Sequence, residues 1–133
     1  MPRLSPRILS LLAALAVSVG AIAAGTLPPQ TSSRSGVTVK VTPGSFSGAE
    51  WEFAVVFDTH SQDLKDDLLK NAVLVLDGGT PSAPTAWQGD SPGGHHRKGV
   101  LRFKAAAIAP ANVKLRLQRP GESESRVFQW RTR

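Results

Sequence analysis

Short segments of alternating or β-branched apolar residues, separated by Pro- and Gly-rich connections, constrain this chain more than any other sequence feature. Alternation with a period of two is typical of strands that bury one face. Such segments occupy residues 37–42, 51–58, 72–76, 100–104, 113–118 and 127–131. Because no helical pattern of about ten or more residues separates them, a parallel α/β fold is disfavoured.

Six or seven short strands in a domain of about 100 residues predict an all-β fold, an immunoglobulin-like antiparallel β-sandwich. A small β-barrel is the alternative, because alternation is the same in an open sandwich and in a closed sheet. Residues 51–58 are expected to form a central strand, since apolar residues lie on both of its faces. Residues 80–94 contain three prolines and predict either a long loop or one short edge strand.

One segment departs from the strand pattern. In residues 63–71, Leu64, Leu68 and Leu69 share one helical face. Acidic residues lie near the N-terminal end of this segment, where the helix dipole favours them. We therefore expect one short helical insertion of one or two turns.

The first 24 residues have the layout of a signal peptide. Two arginines precede an uncharged apolar run over residues 8–24, and Ala21 and Ala23 supply the small residues that signal peptidase requires. A retained single-span anchor is the alternative, although a run of 17 residues is near the lower limit for crossing a bilayer. We therefore expect an exported protein, periplasmic or extracellular.

The expected mature chain has a short polar segment before its folded part. Residues 25–36 read GTLPPQTSSRSG, and this composition predicts a flexible spacer. A single folded domain is then expected over residues 37–133. Without residues 1–24 the chain keeps 14 basic and 10 acidic residues, a modest net charge of +4. Nucleic acid is not an expected partner, and the membrane is expected to be contacted only during export.

The residue inventory narrows the available chemistry. The chain has no Cys, which excludes disulfides, thiolate metal sites and nucleophilic cysteines, and it has no Tyr, which excludes a phenolic acid. Carboxylates for sugar hydrolysis could come from Glu50, Glu52, Asp66 and Asp67, but alternation and the helical pattern predict that these four face solvent. No serine elbow, phosphate-binding loop or zinc-protease motif is present. We therefore expect a protein that is not an enzyme.

All three histidines fall in two polar segments next to predicted strands. Asp58 and His60 lie at the end of the central predicted strand, and His95 and His96 follow two glycines before a later strand. Loops at one end of a sandwich can converge, and imidazole and carboxylate ligands suit Zn(II), Cu(II) or Ni(II). These four residues are the candidate metal site, with Zn or Cu as the expected ion. The alternative is that they only cap turns and bond to loop main chain.

Three strings in these segments carry a resemblance. DTHS-x-DL from Asp58, W-x-G from Trp87 and GGHHR-x-G-x-L-x-F from Gly93 resemble a pattern that recurs in small exported bacterial domains of no assigned activity. The resemblance covers roughly residues 37–130. It implies that these residues form one group, and it implies no ligand or reaction.

Charge is unevenly distributed along the chain. Residues 50–90 hold eight acidic and two basic residues, whereas residues 97–133 hold ten basic and two acidic residues. The polar positions of two predicted strands carry four of these bases: Arg102, Lys104, Lys114 and Arg116. They would form one basic face if the two strands share a sheet, and such a face could bind a protein or an anionic surface. The alternative is a solvated face that discourages edge pairing.

These observations predict an exported, non-enzymatic binding or accessory domain. Its leading mechanism is binding of a divalent transition metal by the His and Asp residues. The alternative is a protein-interaction or anionic-surface-binding module that uses the basic face, in which the histidines only hold loops together.

Overall fold

The structure, a computed structural model, describes residues 27–132, and in this range the chain forms eight strands and one helical turn. The strands are β1 (Gln30–Arg34), β2 (Val37–Pro43), β3 (Glu50–Thr59), β4 (Ala72–Leu76), β5 (Ala86–Gly89), β6 (His96–Lys104), β7 (Asn112–Leu117) and β8 (Arg126–Arg131). The helical turn α1 (Leu68–Asn71) lies between β3 and β4. The predicted signal peptide falls outside the described residues.

The strands form two antiparallel sheets. One has five strands in the order β1-β2-β3-β6-β5, and the other has three in the order β4-β7-β8. The sheets do not close into a barrel, so the predicted β-sandwich is confirmed and the barrel alternative is wrong. β3 is the middle strand of the larger sheet, as its two apolar faces predict.

The core lies between the sheets and is built from the inward positions of the alternating strands. β3 makes the largest contribution, with four inward residues that are each at most 3% exposed: Trp51, Phe53, Val55 and Phe57. The Phe53 ring lies 5.7 Å from that of Phe103 in the same sheet and 5.8 Å from that of Trp130 in the other sheet. These aromatic contacts join the two sheets and add to the hydrophobic stabilisation of the sandwich.

Residues 30–34, which were predicted to belong to a flexible spacer over residues 25–36, form β1. This polar segment pairs with β2 along its whole length. An edge strand needs only its main chain for such pairing, so the missing apolar alternation did not reveal it. Ser35 and Gly36 form the connecting turn with φ of 52° and 75°, as a tight two-residue hairpin requires. The folded domain therefore begins before residue 37.

The predicted helical insertion is a single turn. Asp67 caps α1, and its side chain accepts a hydrogen bond from the main-chain nitrogen of Lys70 at 3.3 Å. Leu64 and Leu68 are buried, whereas Leu69 is 46% exposed. The segment before α1 does not continue the helix: the main chain of Leu64 bonds to that of Gly93 and Gly94, and Asp66 binds two arginines of other segments.

Residues 80–94 contain the short edge strand that was one of the two predicted alternatives. β5 pairs with the outer side of β6. Before it, Ser82 exchanges two main-chain hydrogen bonds of 2.9 Å with Leu74 at the free edge of β4. This segment therefore passes from the smaller sheet to the larger one and covers part of the β4 edge.

A network of charged side chains is buried between the ends of the two sheets. Its members are Asp66, Arg119, Glu122 and Arg126. Arg126 is fully buried and donates to both carboxylate oxygens of Glu122 and to three main-chain oxygens of β1 and β2. The hydrogen bond from Arg126 lowers the pKa of Glu122, against the opposing effect of burial. The charges of Arg126 and Arg119 act in the same direction as this hydrogen bond.

The prediction that Asp66 faces solvent is wrong, since this residue is only 1% exposed. Its carboxylate accepts two hydrogen bonds from Arg119, which compensate its charge inside the protein. Burial works against the charged form of Arg119, but the hydrogen bonds and charges of Asp66 and Glu122 raise the pKa of Arg119 above its usual value.

Candidate functional site

The β3–α1 loop and the β5–β6 loop meet at one end of the sandwich. The main-chain nitrogen of Leu64 donates to the oxygen of Gly94 at 3.0 Å, and the nitrogen of Gly93 donates to the oxygen of Leu64 at 2.7 Å. The nitrogen of Gly94 also donates to Asp63 Oδ1 at 2.7 Å. The expected convergence of the two loops is therefore observed. We call this pair of joined loops, residues 58–67 and 90–97, the rim.

Two consecutive glycines allow the rim to form. Gly93 and Gly94 have φ of 120° and 75°, a region that side chains with a Cβ rarely adopt. The turn brings the chain back into register, so that the nitrogen of Thr59 donates to the oxygen of His95 at 3.0 Å. The GG dipeptide is thus the local sequence feature that returns the loop to β6.

Asp58 and His96 are direct cross-strand partners in β3 and β6. Asp58 Oδ1 contacts His96 Nδ1, and the two side chains are 57% and 58% exposed. Both lie on the solvent face of the larger sheet, because the preceding residue of β3, Phe57, points into the core. Within residues 27–132, Nε2 of His96 takes part in no hydrogen bond.

His60 and His95 are both exposed, and the structure does not bring their imidazoles together with the Asp58–His96 pair as one set of ligands. Within residues 27–132, no three His, Cys, Asp or Glu side chains are grouped so that they could hold a metal ion. Two of the four candidate ligands therefore meet. Adjacent residues at the start of a strand point to opposite sides of the sheet, which explains why His95 does not accompany His96.

An open cavity of about 400 Å³ lies beside the rim. Its apolar wall is formed by Leu68, Leu69, Trp87 and Pro92, and its polar wall includes Arg97. The cavity therefore combines an aromatic surface with a guanidinium group at the point where the rim meets α1.

Arg97 is a rim residue that belongs to the string GGHHR but was not among the predicted site residues. It is 3% exposed, and it donates from Nε to the main-chain oxygen of Asp90 at 3.1 Å and from Nη1 to that of Asp66 at 2.6 Å. Its guanidinium carbon also lies 5.3 Å from the centre of the Trp87 ring, a cation–π contact. Arg97 thus fastens both rim loops from the inside. The signal that could have revealed it is its phase, since Arg97 alternates in step with the inward residues Leu101 and Phe103 of β6.

Trp87 lies across two glycines of neighbouring strands. Gly89 and Gly99 are cross-strand partners, and a Cβ on Gly99 would be 2.6 Å from Cζ2 of Trp87 and 2.7 Å from the Cα of Gly89. Trp87 also donates from Nε1 to the main-chain oxygen of Asp90 at 3.1 Å. The absence of side chains at both glycines therefore makes room for the ring that forms one wall of the cavity.

The predicted single basic face is wrong, because its four bases belong to different sheets. Arg102 and Lys104 lie in β6 of the larger sheet, whereas Lys114 and Arg116 lie in β7 of the smaller sheet. Arg102 is moreover paired with Glu52, with Nε 3.1 Å from Oε1. The two pairs of bases lie on opposite outer faces of the sandwich.

Comparison with protein-family models, with curated proteins and with solved structures gives no match for this chain. In residues 27–132, none of the helical structure is long and apolar enough to cross a membrane.

Proposed function

We propose that this chain is an exported, non-enzymatic binding or accessory domain that binds its ligand at the rim. The proposal is supported by two loops that are joined by main-chain hydrogen bonds and fastened internally by Arg97. Rigid loops at one end of a sandwich are a common place for ligand binding, because the sheets hold them in a fixed position. Export is proposed from the predicted signal peptide over residues 1–24.

The ligand proposed for the rim is a divalent transition metal, Zn(II) or Cu(II). The contact between Asp58 Oδ1 and His96 Nδ1 is the observation that carries this proposal. A carboxylate at one imidazole nitrogen fixes the ring orientation and tautomer and makes the other nitrogen a better metal ligand. Here that other nitrogen, Nε2 of His96, has no hydrogen-bond partner among the described residues, and the His96 side chain is 58% exposed.

The geometry also limits how tightly an ion would bind. Structural zinc sites use four protein ligands and catalytic sites use three. The rim offers one such ligand, Nε2 of His96, whose ring Asp58 orients through Nδ1, and His60 lies two residues beyond Asp58 in the same loop. Water molecules would fill the remaining positions, so we expect exchangeable binding that is weaker than in a structural zinc site.

Calorimetric titration of ZnCl₂ and CuCl₂ into the chain without residues 1–24, purified without a histidine tag, tests the proposal. His96→Ala and Asp58→Asn should each weaken binding by about tenfold or more, as is typical when a ligand or its orienting carboxylate is lost. His95→Ala is the matched control and should change the affinity by less than about twofold, because His95 is not paired with the carboxylate. Equal affinities in the wild type, His96→Ala and Asp58→Asn would refute the metal site.

A further inference from the structure

The two outer faces of the sandwich differ in their charge. On the larger sheet, acids and bases alternate between neighbouring strands, and Glu52 pairs with Arg102 while Asp58 contacts His96. On the smaller sheet, the outward positions carry three bases, Lys114, Arg116 and Arg131, and no acid. We call these three residues the basic track.

The bases of the track are not compensated by neighbours. Among residues 27–132, they take part in none of the ion pairs. Nε of Arg116 is buried and has no hydrogen-bond partner there. Asp77, at the end of this sheet, uses its carboxylate to accept from the main-chain nitrogens of Ala111 and Asn112 at 3.0 and 2.9 Å.

The strand register arranges the track as a line. Arg131 of β8 lies beside Asn112 of β7, and Lys114 and Arg116 follow at alternate positions along β7. Two residues along a strand span about 7 Å, and neighbouring strands are about 4.8 Å apart. The Cα atoms of Lys114 and Arg116 are therefore about 7 Å apart along β7, and that of Arg131 lies about 8 Å from that of Lys114 on the neighbouring strand.

Protection against edge pairing does not explain this arrangement. Lys114 and Arg116 lie on the central strand of the sheet, which has no free edge. The exposed edges are covered by other means: the side-chain amide of Gln30 bonds to the main chain of Gln129 in β8, and Ser82 bonds to Leu74 in β4. Each contact occupies the edge-facing main chain of one residue, Gln129 in β8 and Leu74 in β4.

We infer that the basic track binds a linear anionic polysaccharide through its carboxylate groups. A flat surface with evenly spaced, uncompensated bases complements an extended polymer that carries repeated negative charges. Lys and Arg both bind carboxylates, and Arg can do so in a bidentate manner. The strands of this face present no aromatic side chain outward that could enter a bilayer, and Val127 is their only large apolar residue that is about half exposed.

Binding of polygalacturonate to the full mature chain tests this inference, with Lys114→Gln/Arg116→Gln as the main variant. This double variant should weaken binding by about tenfold, and raising the salt concentration should weaken wild-type binding as well. The matched control is Lys40→Gln/Lys98→Gln, which removes the same charge from the outer face of the larger sheet. The control should change the affinity by less than about twofold.

The remaining outcomes count against the inference. Absence of polygalacturonate binding would overturn it. Equal losses of affinity in the two double variants would also overturn it, because they would show that binding responds to net charge alone. Tighter binding to vesicles of anionic phospholipid than to the polymer would indicate a lipid surface and also overturn it.

Circular dichroism checks that each variant is folded. If the double variant Lys114→Gln/Arg116→Gln is unfolded, Arg131→Gln, on the edge strand, is tested in its place. His96→Ala should bind the polymer normally, which separates this inference from the metal site.

Discussion

Arg119 donates two parallel hydrogen bonds to Asp66, from Nε to Oδ2 and from Nη2 to Oδ1, each 2.9 Å long. The pair is 53 residues apart in sequence and almost completely buried. It joins the connection after β7 to the segment before α1, and the main-chain oxygen of Asp66 in turn accepts from Arg97 of the rim. The rim is therefore anchored to the smaller sheet through a buried ion pair.

Removal of the Asp66 charge should destabilise the fold strongly. Asp66→Asn leaves the buried guanidinium of Arg119 with one of its two acidic partners, and the loss of a buried partner typically costs about 3–5 kcal/mol. Glu124→Gln removes one negative charge from an exposed position and should change stability by less than about 0.5 kcal/mol. Urea unfolding followed by tryptophan fluorescence measures both, and similar stabilities would show that the pair is not important.

Stability should fall in acid because of Glu122. Its pKa is lowered in the folded protein below the ordinary value of 4.5, mainly by the hydrogen bond from Arg126. A group of this kind contributes its full stabilisation above the unfolded pKa and loses it as the pH falls through the folded pKa. The free energy of unfolding should therefore decrease below about pH 4.5.

Glu122→Gln isolates this contribution. The variant should be less stable at neutral pH, yet its stability should decline less steeply in acid than that of the wild type. Glu124→Gln should keep the wild-type decline, since Glu124 is exposed. Urea unfolding at several pH values between 3 and 7, a range of about four units around the carboxylate pKa values, gives the curves. Parallel curves for the wild type and Glu122→Gln would contradict the assignment.

Gly99→Ala should disturb the wall of the cavity. The new methyl group would lie 2.6 Å from Cζ2 of Trp87 and 2.7 Å from the Cα of Gly89, so main chain as well as the ring must move. Overpacking of this kind costs about 1–3 kcal/mol. Lys98→Ala, an exposed neighbour in β6, is the control and should cost less than about 0.5 kcal/mol. Thermal and urea unfolding that show no difference between the two variants would argue against the packing of Trp87 on the glycines.

The polar strand β1 should be required for full stability. A chain that begins at residue 37 lacks two of the main-chain oxygens that accept from buried Arg126, those of Ser32 and Arg34. It also lacks the oxygen of Pro28, which accepts from Trp130 Nε1 at 2.7 Å. Each of these hydrogen bonds contributes about 0.5–1.5 kcal/mol, and the pairing of β1 with β2 is lost as well, so we expect a loss of about 3 kcal/mol or more relative to a chain that begins at residue 27. Equal urea midpoints for the two chains would indicate that residues 27–36 do not stabilise the fold and act as a spacer.

Alternation predicted β2, β3, β6, β7 and β8, a β-branched run predicted β4, and the number of these strands predicted the sandwich. It did not reveal β1, whose Thr and Ser side chains need no buried face at the edge of a sheet. Burial of Asp66 could not be deduced from the pattern either, because a charged residue that has a distant partner looks the same in sequence as a solvated one. Arg126, in contrast, alternates in step with the inward residues Phe128 and Trp130.

The candidate site was predicted only in part, because the sequence does not show which residues of neighbouring strands lie opposite each other. The loops that carry His60 and His95 do meet, but which imidazoles share a face depends on the register of β3 and β6. That register places Asp58 opposite His96, and the sequence contains no signal for it. The basic track likewise depends on sheet membership, which separates Arg102 from Arg116.

The most direct test of the proposed metal site is an NMR titration with Zn(II) that follows the imidazole nitrogens of all three histidines. We predict that Nε2 of His96 shifts or broadens first, that Asp58→Asn weakens this response, and that the nitrogens of His95 stay unchanged at the same concentration. An equal response of the three imidazoles, or none from His96, would contradict the assignment of the rim as a metal-binding site.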